Sequence, residues 1–379
     1  MKIALVHDYF TQRGGAEKVA EELFRILPDA SLFSTVALPD LMPKGLRNKP
    51  IVTTWMQHLP FMRRWYRFYV GLYPLAVHSL DLSGFDLVIT SSSGYVKGVS
   101  KDVHAFHVCY CHTPMRWAWE APTYLAREEM GPLKELFLLR LAHLLRWWDM
   151  KASRQPDIYV ANSQAVANRI QKCYGRSAIV IHPPIDLNRF SVSNEQEDYY
   201  LVLARLVSYK RIDLAVSACT KLNKRLIVIG EGPDRVRLES IAGPSVSFLG
   251  RLQDSEVEHY ASRCRALLFP GEEDFGMAPL EIAAAGRPTI AFRAGGAIET
   301  IVEGVTGTFF DSQDPDDLAC AIERFEKQAW DPLVIREHAE GFGTDVFRES
   351  FLDLLNRIGF DLPRPQSSIA RVRTPVGQE

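Results

Sequence analysis

The chain has 379 residues, with 44 Lys and Arg against 46 Asp and Glu, a net charge of -2, 47% hydrophobic and 24% charged residues. That length predicts two domains, each large enough for its own core, and the composition excludes a disordered chain. Near-neutral charge excludes a global field that would recruit nucleic acid, so no nucleic-acid partner is expected.

Residues 2–7 are a short apolar run that ends at Asp8 and a polar loop containing Gly14 and Gly15; residues 16–27 then place Val19, Leu23 and Ile26 on one helical face. This predicts a strand, a glycine loop and a helix. The run is too short for a signal peptide and no uncharged stretch of about 20 residues follows, so a cytoplasmic location is expected. Residues 55–73, WMQHLPFMRRWYRFYVGLY, interleave seven aromatics with Arg63, Arg64 and Arg67, and residues 136–148 add an apolar stretch with Arg140 and Arg146. Basic residues beside aromatics suit an anionic membrane surface and a phosphate-bearing lipid. The competing reading makes these aromatics core and the arginines a solvated rim.

Strands are predicted at 86–90, 105–111 and 158–161, with a helix at 164–173. A second series of strands falls at 199–203, 226–229, 246–249, 266–269 and 289–292, with amphipathic segments between. The alternation predicts an α/β protein of two doubly wound, Rossmann-like domains. The expected boundaries are 1–185 for the first domain and 186–343 for the second. A helix at 344–360, with Phe347, Phe351, Leu354 and Leu355 on one stripe, is expected to cross back, and 361–379 is expected to be a frayed tail. Six cysteines, Cys109, Cys111, Cys173, Cys219, Cys264 and Cys320, lack CxxC spacing and read as reduced thiols.

The segment 269–292, FPGEEDFGMAPLEIAAAGRPTIAF, reads as strand, turn, helix and strand, with seven residues between Glu273 and Glu281. The amides of Phe275, Gly276 and Met277 would point from the helix start toward an anion. Two acids beside that terminus would repel phosphate unless they bind sugar hydroxyls, which suits a nucleotide sugar. Residues 204–211, ARLVSYKR, place Arg205 and Lys210 at the carboxyl end of a strand, where open α/β sheets bind ligands and where two cations suit a diphosphate. Spacing alone leaves open that these are ordinary surface acids and a solvated basic loop.

EEDFGMAPLE resembles the E-x7-E signature of family 4 of the retaining GT-B glycosyltransferases, and ARLVSYKR resembles that family's diphosphate loop. FLGR at 248–251, AGG at 294–296 and EGVTGTFF at 303–310 follow in the family's usual order, so the resemblance spans about residues 1–358. It implies that Gly14 and Gly15 form the glycine loop over the donor phosphates and that His112, in CYCHTPMRW, faces the donor sugar. It also implies that Glu273 holds the transferred sugar, Glu281 the ribose, and that Arg251 lies near the base. One departure is Ala204, where a glycine usually precedes the arginine.

The CHTPMRWAW segment, which contains Arg116, resembles bacterial mannosyltransferases of lipid-linked polysaccharide assembly. This implies GDP-mannose as donor and a polyprenyl-diphosphate-linked saccharide as acceptor, with Arg63, Arg64, Arg67 and Arg116 on the acceptor or membrane side. A UDP-sugar donor and a sugar-nucleotide epimerase of the same fold are the alternatives. An NAD-dependent oxidoreductase is disfavoured because residues 12–18, QRGGAEK, lack a GxGxxG turn. No Asp-x-Asp motif stands in a plausible loop, so no metal or cofactor is expected, and Arg205 and Lys210 would stabilise the leaving diphosphate.

Overall fold

Short, continuously apolar strands separated by amphipathic helices bury both faces most readily as parallel sheets covered by helices. The computed structural model, which describes residues 1–12, 14–66, 68–120 and 132–362, contains two such sheets. The first is built from β1 (Ile3–His7), β2 (Ser31–Ser34), β3 (Ile51–Thr53), β4 (Leu87–Ser92), β5 (Phe106–Cys111), β6 (Ile158–Ala161) and β7 (Ala178–Val180). Its order is β3-β2-β1-β4-β5-β6-β7, with every pairing parallel. The second comprises β8 (Tyr200–Leu203), β9 (Leu226–Ile229), β10 (Val246–Gly250), β11 (Ala266–Phe269), β12 (Thr289–Phe292) and β13 (Gly307–Phe310). Its order is β10-β9-β8-β11-β12-β13, also parallel throughout.

Alternate residues of each strand enter different cores. Leu5, Ile89 and Val108 pack on one face of the first sheet, whereas Ala4, Val6 and Val88 pack on the other. In the second sheet Leu201, Ile227 and Leu267 take one face, and Tyr200, Val202 and Leu268 the opposite one. The expected strands of the sequence are all present within one or two residues. Four were not foreseen: β2, β3, β7 and β13. Each has only three or four residues, and β3, β7 and β13 lie at sheet edges, where a short strand carries too little apolar pattern to stand out.

Strand order reverses between β1 and β4 in the first sheet and between β8 and β11 in the second. Such switch points leave a crevice at the carboxyl ends of the strands, and ligands of open α/β sheets bind there. The helix Thr344–Arg357 joins the core of the first sheet through Phe347, Phe351, Leu354 and Leu355. The Phe347 ring lies 5.9 Å from that of Tyr110, and Arg348 donates to Glu22 at 3.1 Å. The chain therefore crosses back after the second sheet.

A buried ion pair braces the first half. Lys97 Nζ lies 2.5 Å from Asp149 Oδ1 on the long helix Pro132–Ala152, and both side chains are almost wholly buried. Asp149 Oδ2 also accepts from Trp119 Nε1 at 2.8 Å and Tyr174 OH at 2.7 Å. Breaking such a pair costs about 3–5 kcal/mol, because one charge is left without compensation. Cys109 and Cys111 share a buried face in β5, and no cysteine is disulfide-bonded. Among the described residues, no helix is long and apolar enough to cross a membrane.

Candidate active site

The second sheet places its charged loops on either side of its switch point. Residues 204–211 leave β8, residues 270–276 leave β11, and Lys210 Nζ bridges the two by donating to Glu273 Oε1 at 2.6 Å. Burial has the largest single effect on the Lys210 pKa and would lower it, but the charge and hydrogen bond of Glu273 together with the charges of Tyr209 and Asp274 outweigh it and the value is raised, so the ammonium stays charged. Gly230 has φ 144°, and a Cβ there would meet the Ala204 carbonyl oxygen at 1.8 Å, so the turn after β9 packs directly on the backbone of residue 204, the position where the family usually has glycine. Arg205 reaches over the cleft to Gln12 Oε1 at 3.3 Å.

Gly276, with φ 82°, caps the helix Met277–Ala284, and Phe275 before it is buried against the His182 ring at 5.2 Å. Glu281 lies in this helix, one turn past its start, and its Oε1 accepts from Lys18 Nζ of the opposite half at 2.7 Å. It is thus a cleft residue rather than a free surface acid. Arg251, just past β10, is exposed.

From the first half, Gly14 is the N-cap of the helix Gly15–Ile26. A Cβ on Gly15 would meet Met277 Sδ at 2.6 Å, so the glycine loop and the start of the acid-bearing helix lie face to face. Glu17, in the first turn, is 2% exposed, and its Oε2 has no hydrogen-bond partner; burial pushes its carboxyl up to about 7. His112 follows β5, and its Nε2 lies 2.8 Å from Ser91 Oγ, which in turn lies 3.0 Å from His7 Nδ1. Burial pushes His112 down to about 4 and His7 down to about 3, so both rings are neutral at pH 7.

The two halves also meet at Asp274. Its Oδ1 accepts from Arg116 at 2.7 Å and also from Arg169, and its carbonyl accepts from Ser163 Oγ at 2.5 Å. Arg116 was expected on the acceptor or membrane side. Its guanidinium donates across the cleft to Asp274, from the short helix Arg116–Trp119 that begins four residues after His112.

The aromatic and basic stretch divides. Met56, Met62 and Tyr73 are core, whereas Phe61, Trp65 and Phe68 are exposed, Phe68 to 80%. Arg63 pairs with Asp40 at 2.6 Å and Arg64 is exposed, while Arg67 lies outside the described residues. On the long helix Leu136, Phe137, Leu144 and Trp147 are exposed. Arg146 belongs to the fold instead, donating to Ala118 O at 2.9 Å and to Trp119 O at 3.2 Å. Among the described residues, no group of three or more His, Cys, Asp or Glu side chains could hold a metal ion.

Residues 13–189 match the family model described as Glycosyltransferase Family 4, and residues 184–342 match Glycosyl transferases group 1, so the two models run end to end from residue 13 to residue 342. The chain belongs to family 4 of the GT-B glycosyltransferases. It is similar to the GDP-mannose-dependent alpha-(1-6)-phosphatidylinositol monomannoside mannosyltransferase of Mycolicibacterium smegmatis, 28% identical over 44% of this chain and 52% of that protein. It is also similar to the human alpha-1,3/1,6-mannosyltransferase ALG2, 26% identical over 69% of this chain and 70% of the relative. The chain spans about half the length of most of the curated relatives it matches. In fold it is similar to Anabaena HepE, solved in complex with UDP and glucose, with a TM-score of 0.68, 19% identity and coverage of 94% of this chain and 99% of that one.

Within this family 4 chain, the structure brings Gly14, Gly15, Arg205, Lys210, Glu273, Phe275, Gly276, Met277 and Glu281 to the facing rims of one cleft. His112 joins them from the first half: Asp274, the residue after Glu273, is near enough for its charge to act on the ring against the effect of burial. Sequence reasoning missed Lys18, Gln12, Asp274 and Arg169. Asp274 stands inside the recognised motif, but nothing in the sequence says which cation it meets. Lys18 and Arg169 sit in ordinary amphipathic helices, where a basic residue usually faces water, so no sequence signal marks them.

Proposed function

We propose that the chain transfers a mannosyl group from GDP-mannose, with retention, onto a polyprenyl-diphosphate-linked saccharide at an anionic membrane surface. The observation that carries the reading is the bridge of Lys210 and Glu273 across the second switch point, with Glu281 one turn into the helix that follows the Glu273 loop. A diphosphate set there meets Lys210 and Arg205, while the carboxylates remain for the hydroxyls of the sugar and ribose. The bond from the anomeric carbon to the diphosphate breaks, the acceptor hydroxyl forms the new bond, and its proton passes to a phosphate oxygen of the leaving group. Charge building on the diphosphate is met by Lys210, Arg205 and helix amides already in place, so no divalent ion is required in this mechanism. Mannose is supported by the names of three relatives of the chain, all mannosyltransferases, two of them GDP-mannose-dependent. The exposed Phe61, Trp65 and Phe68 beside Arg64 support the membrane surface.

The test is a thermal-shift panel of GDP-, UDP- and ADP-sugars, since a ligand that binds only the folded chain raises its melting temperature. Turnover with the selected donor is then followed by NMR with and without EDTA. GDP-mannose is expected to give the largest shift, and an α-linked product is expected to form in EDTA. Selection of a UDP-sugar would overturn the donor, change of the donor without any acceptor would favour the epimerase, and loss of turnover in EDTA restored by magnesium would overturn the metal-free mechanism.

A further inference from the structure

We infer that Arg116 and Arg169 are positioning residues that clamp the acidic loop of the second half to the histidine end of the first, so that Glu273 and His112 face one transferred sugar. The inference rests on the donor-site reading for the role of Glu273. The clamp itself is read from the contacts of Asp274. This residue lies between Glu273 and Phe275, so fixing it fixes the backbone from which Glu273 projects.

Three residues on two elements of the first half hold it. Arg116, on the helix that follows His112, donates to Oδ1 at 2.7 Å, and Arg169, from the middle of the helix Gln164–Tyr174, donates to the same oxygen. Ser163, the N-cap of that helix, donates to the Asp274 carbonyl at 2.5 Å. Both guanidiniums are 15% exposed and the carboxylate 25%, which limits the solvent screening that makes surface pairs weak. Arg169 and Asn162, the residue before Ser163, also hold the His112 segment. Arg169 donates to Thr113 Oγ1 at 3.1 Å, and Asn162 Nδ2 donates to His112 O at 3.0 Å. Ser163 Oγ lies 3.2 Å from Asn162 Oδ1, so the polar contacts run without a break from His112 through Asn162 and Ser163 to Asp274.

The helix that carries Arg169 is itself anchored to the second half. The amides of Gln164 and Ala165 donate to the two carboxylate oxygens of Glu299 at 2.7 and 3.0 Å. An acid at a helix amino terminus is favoured by the unpaired amides and the helix dipole. Arg169 therefore has little freedom to follow Asp274 if the loop moves. Two arginines on one carboxylate oxygen, each from its own element, over-determine the loop. A single pair could swing about its long side chains.

The test uses the full chain, with GDP and GDP-mannose as probes. Nitroxide labels are attached at Val103→Cys and Val236→Cys, 93% and 78% exposed on the two halves, in a background that carries Cys320→Ser. Arg116→Ala/Arg169→Ala is expected to lower kcat about tenfold to a hundredfold, because a shift of about 1 Å at a reacting group has that effect. GDP affinity should change less than about twofold, since the two cations assigned to the diphosphate, Arg205 and Lys210, lie in the second half and neither variant touches them, and Arg169→Lys should recover part of kcat. Adding Asp274→Asn to the double variant should cost less than a further twofold, as residues acting through one contact are not additive. The label-to-label distances should broaden in the double variant. A native kcat, full additivity of Asp274→Asn, or a GDP affinity that falls in step with kcat would overturn the clamp. If the native chain does not use GDP-mannose, the donor reading fails on its own. The distances still decide the clamp: broadening supports it, and a native distribution overturns it.

Discussion

Glu273→Gln should separate binding from transfer in an unusual direction. In the ligand-free cleft the Glu273 carboxylate occupies the Lys210 ammonium at 2.6 Å, with 19% and 17% of the two side chains exposed. That exposure places the pair between surface pairs, measured at about 0.2–1 kcal/mol, and buried ones, so about 1 kcal/mol is a fair scale. Glutamine keeps the shape, removes the charge and frees Lys210 for the diphosphate. GDP should therefore bind about fivefold more tightly, since about 1.4 kcal/mol is tenfold. Transfer should fall, because the carboxylate no longer holds the sugar hydroxyls. A charge-assisted hydrogen bond contributes about 1.5–3 kcal/mol, or roughly tenfold to over a hundredfold in kcat. Calorimetry with GDP and turnover at saturating GDP-mannose measure the two effects on one protein. A GDP affinity that weakens in step with kcat would refute the reasoning, because it would place Glu273 on the nucleotide rather than on the sugar.

Lys210→Ala should lower kcat at saturating donor by about a hundredfold to a thousandfold, as expected for a donor aimed at developing charge, whereas a raised KM with native kcat would make it a binding residue only. Arg205→Lys keeps the charge but loses the two-pronged geometry, and native turnover in that variant would remove the guanidinium from the mechanism. Glu17→Gln should stabilise the chain in a pH-dependent way. The buried carboxyl is pushed up to about 7 from an ordinary 4.5, so the native state binds more protons than the unfolded chain between those values, and the stability due to Glu17 is lost as pH rises through that window. The advantage of glutamine should be small at pH 4.5, grow to at most about 3 kcal/mol near pH 7 and level off above it, and a melting-temperature gap equal at pH 5 and pH 8 would contradict the assignment. Phe61→Ser/Trp65→Ser/Phe68→Ser should reduce sedimentation with phosphatidylglycerol vesicles more than tenfold, at about 1.5–3 kcal/mol for each large apolar side chain withdrawn from the interface. Unchanged sedimentation would leave these residues as ordinary surface aromatics.

The sequence by itself determined the alternation of strand and helix, the two sheets and the rims that carry the charged loops. Apolar runs such as 226–229 and 266–269 are buried on both faces, and that leaves a local pattern anyone can read. It also determined Arg205, Lys210, Glu273 and Glu281 as candidates, because two acids at fixed spacing around a helix start and two cations after a strand are local features. What it could not supply is pairing between residues far apart in the chain. Lys18 meets Glu281 across 263 positions, and Arg116 meets Asp274 across 158. The direction of a long side chain on an amphipathic helix is decided by what the opposite half presents, which has no periodicity to betray it. The same holds for the aromatic stretch, where Met62 and Tyr73 turned inward while Phe61 and Phe68 stayed in water. Only the folded chain, by choosing which side of each short helix meets the sheet, settled which of those aromatics are core.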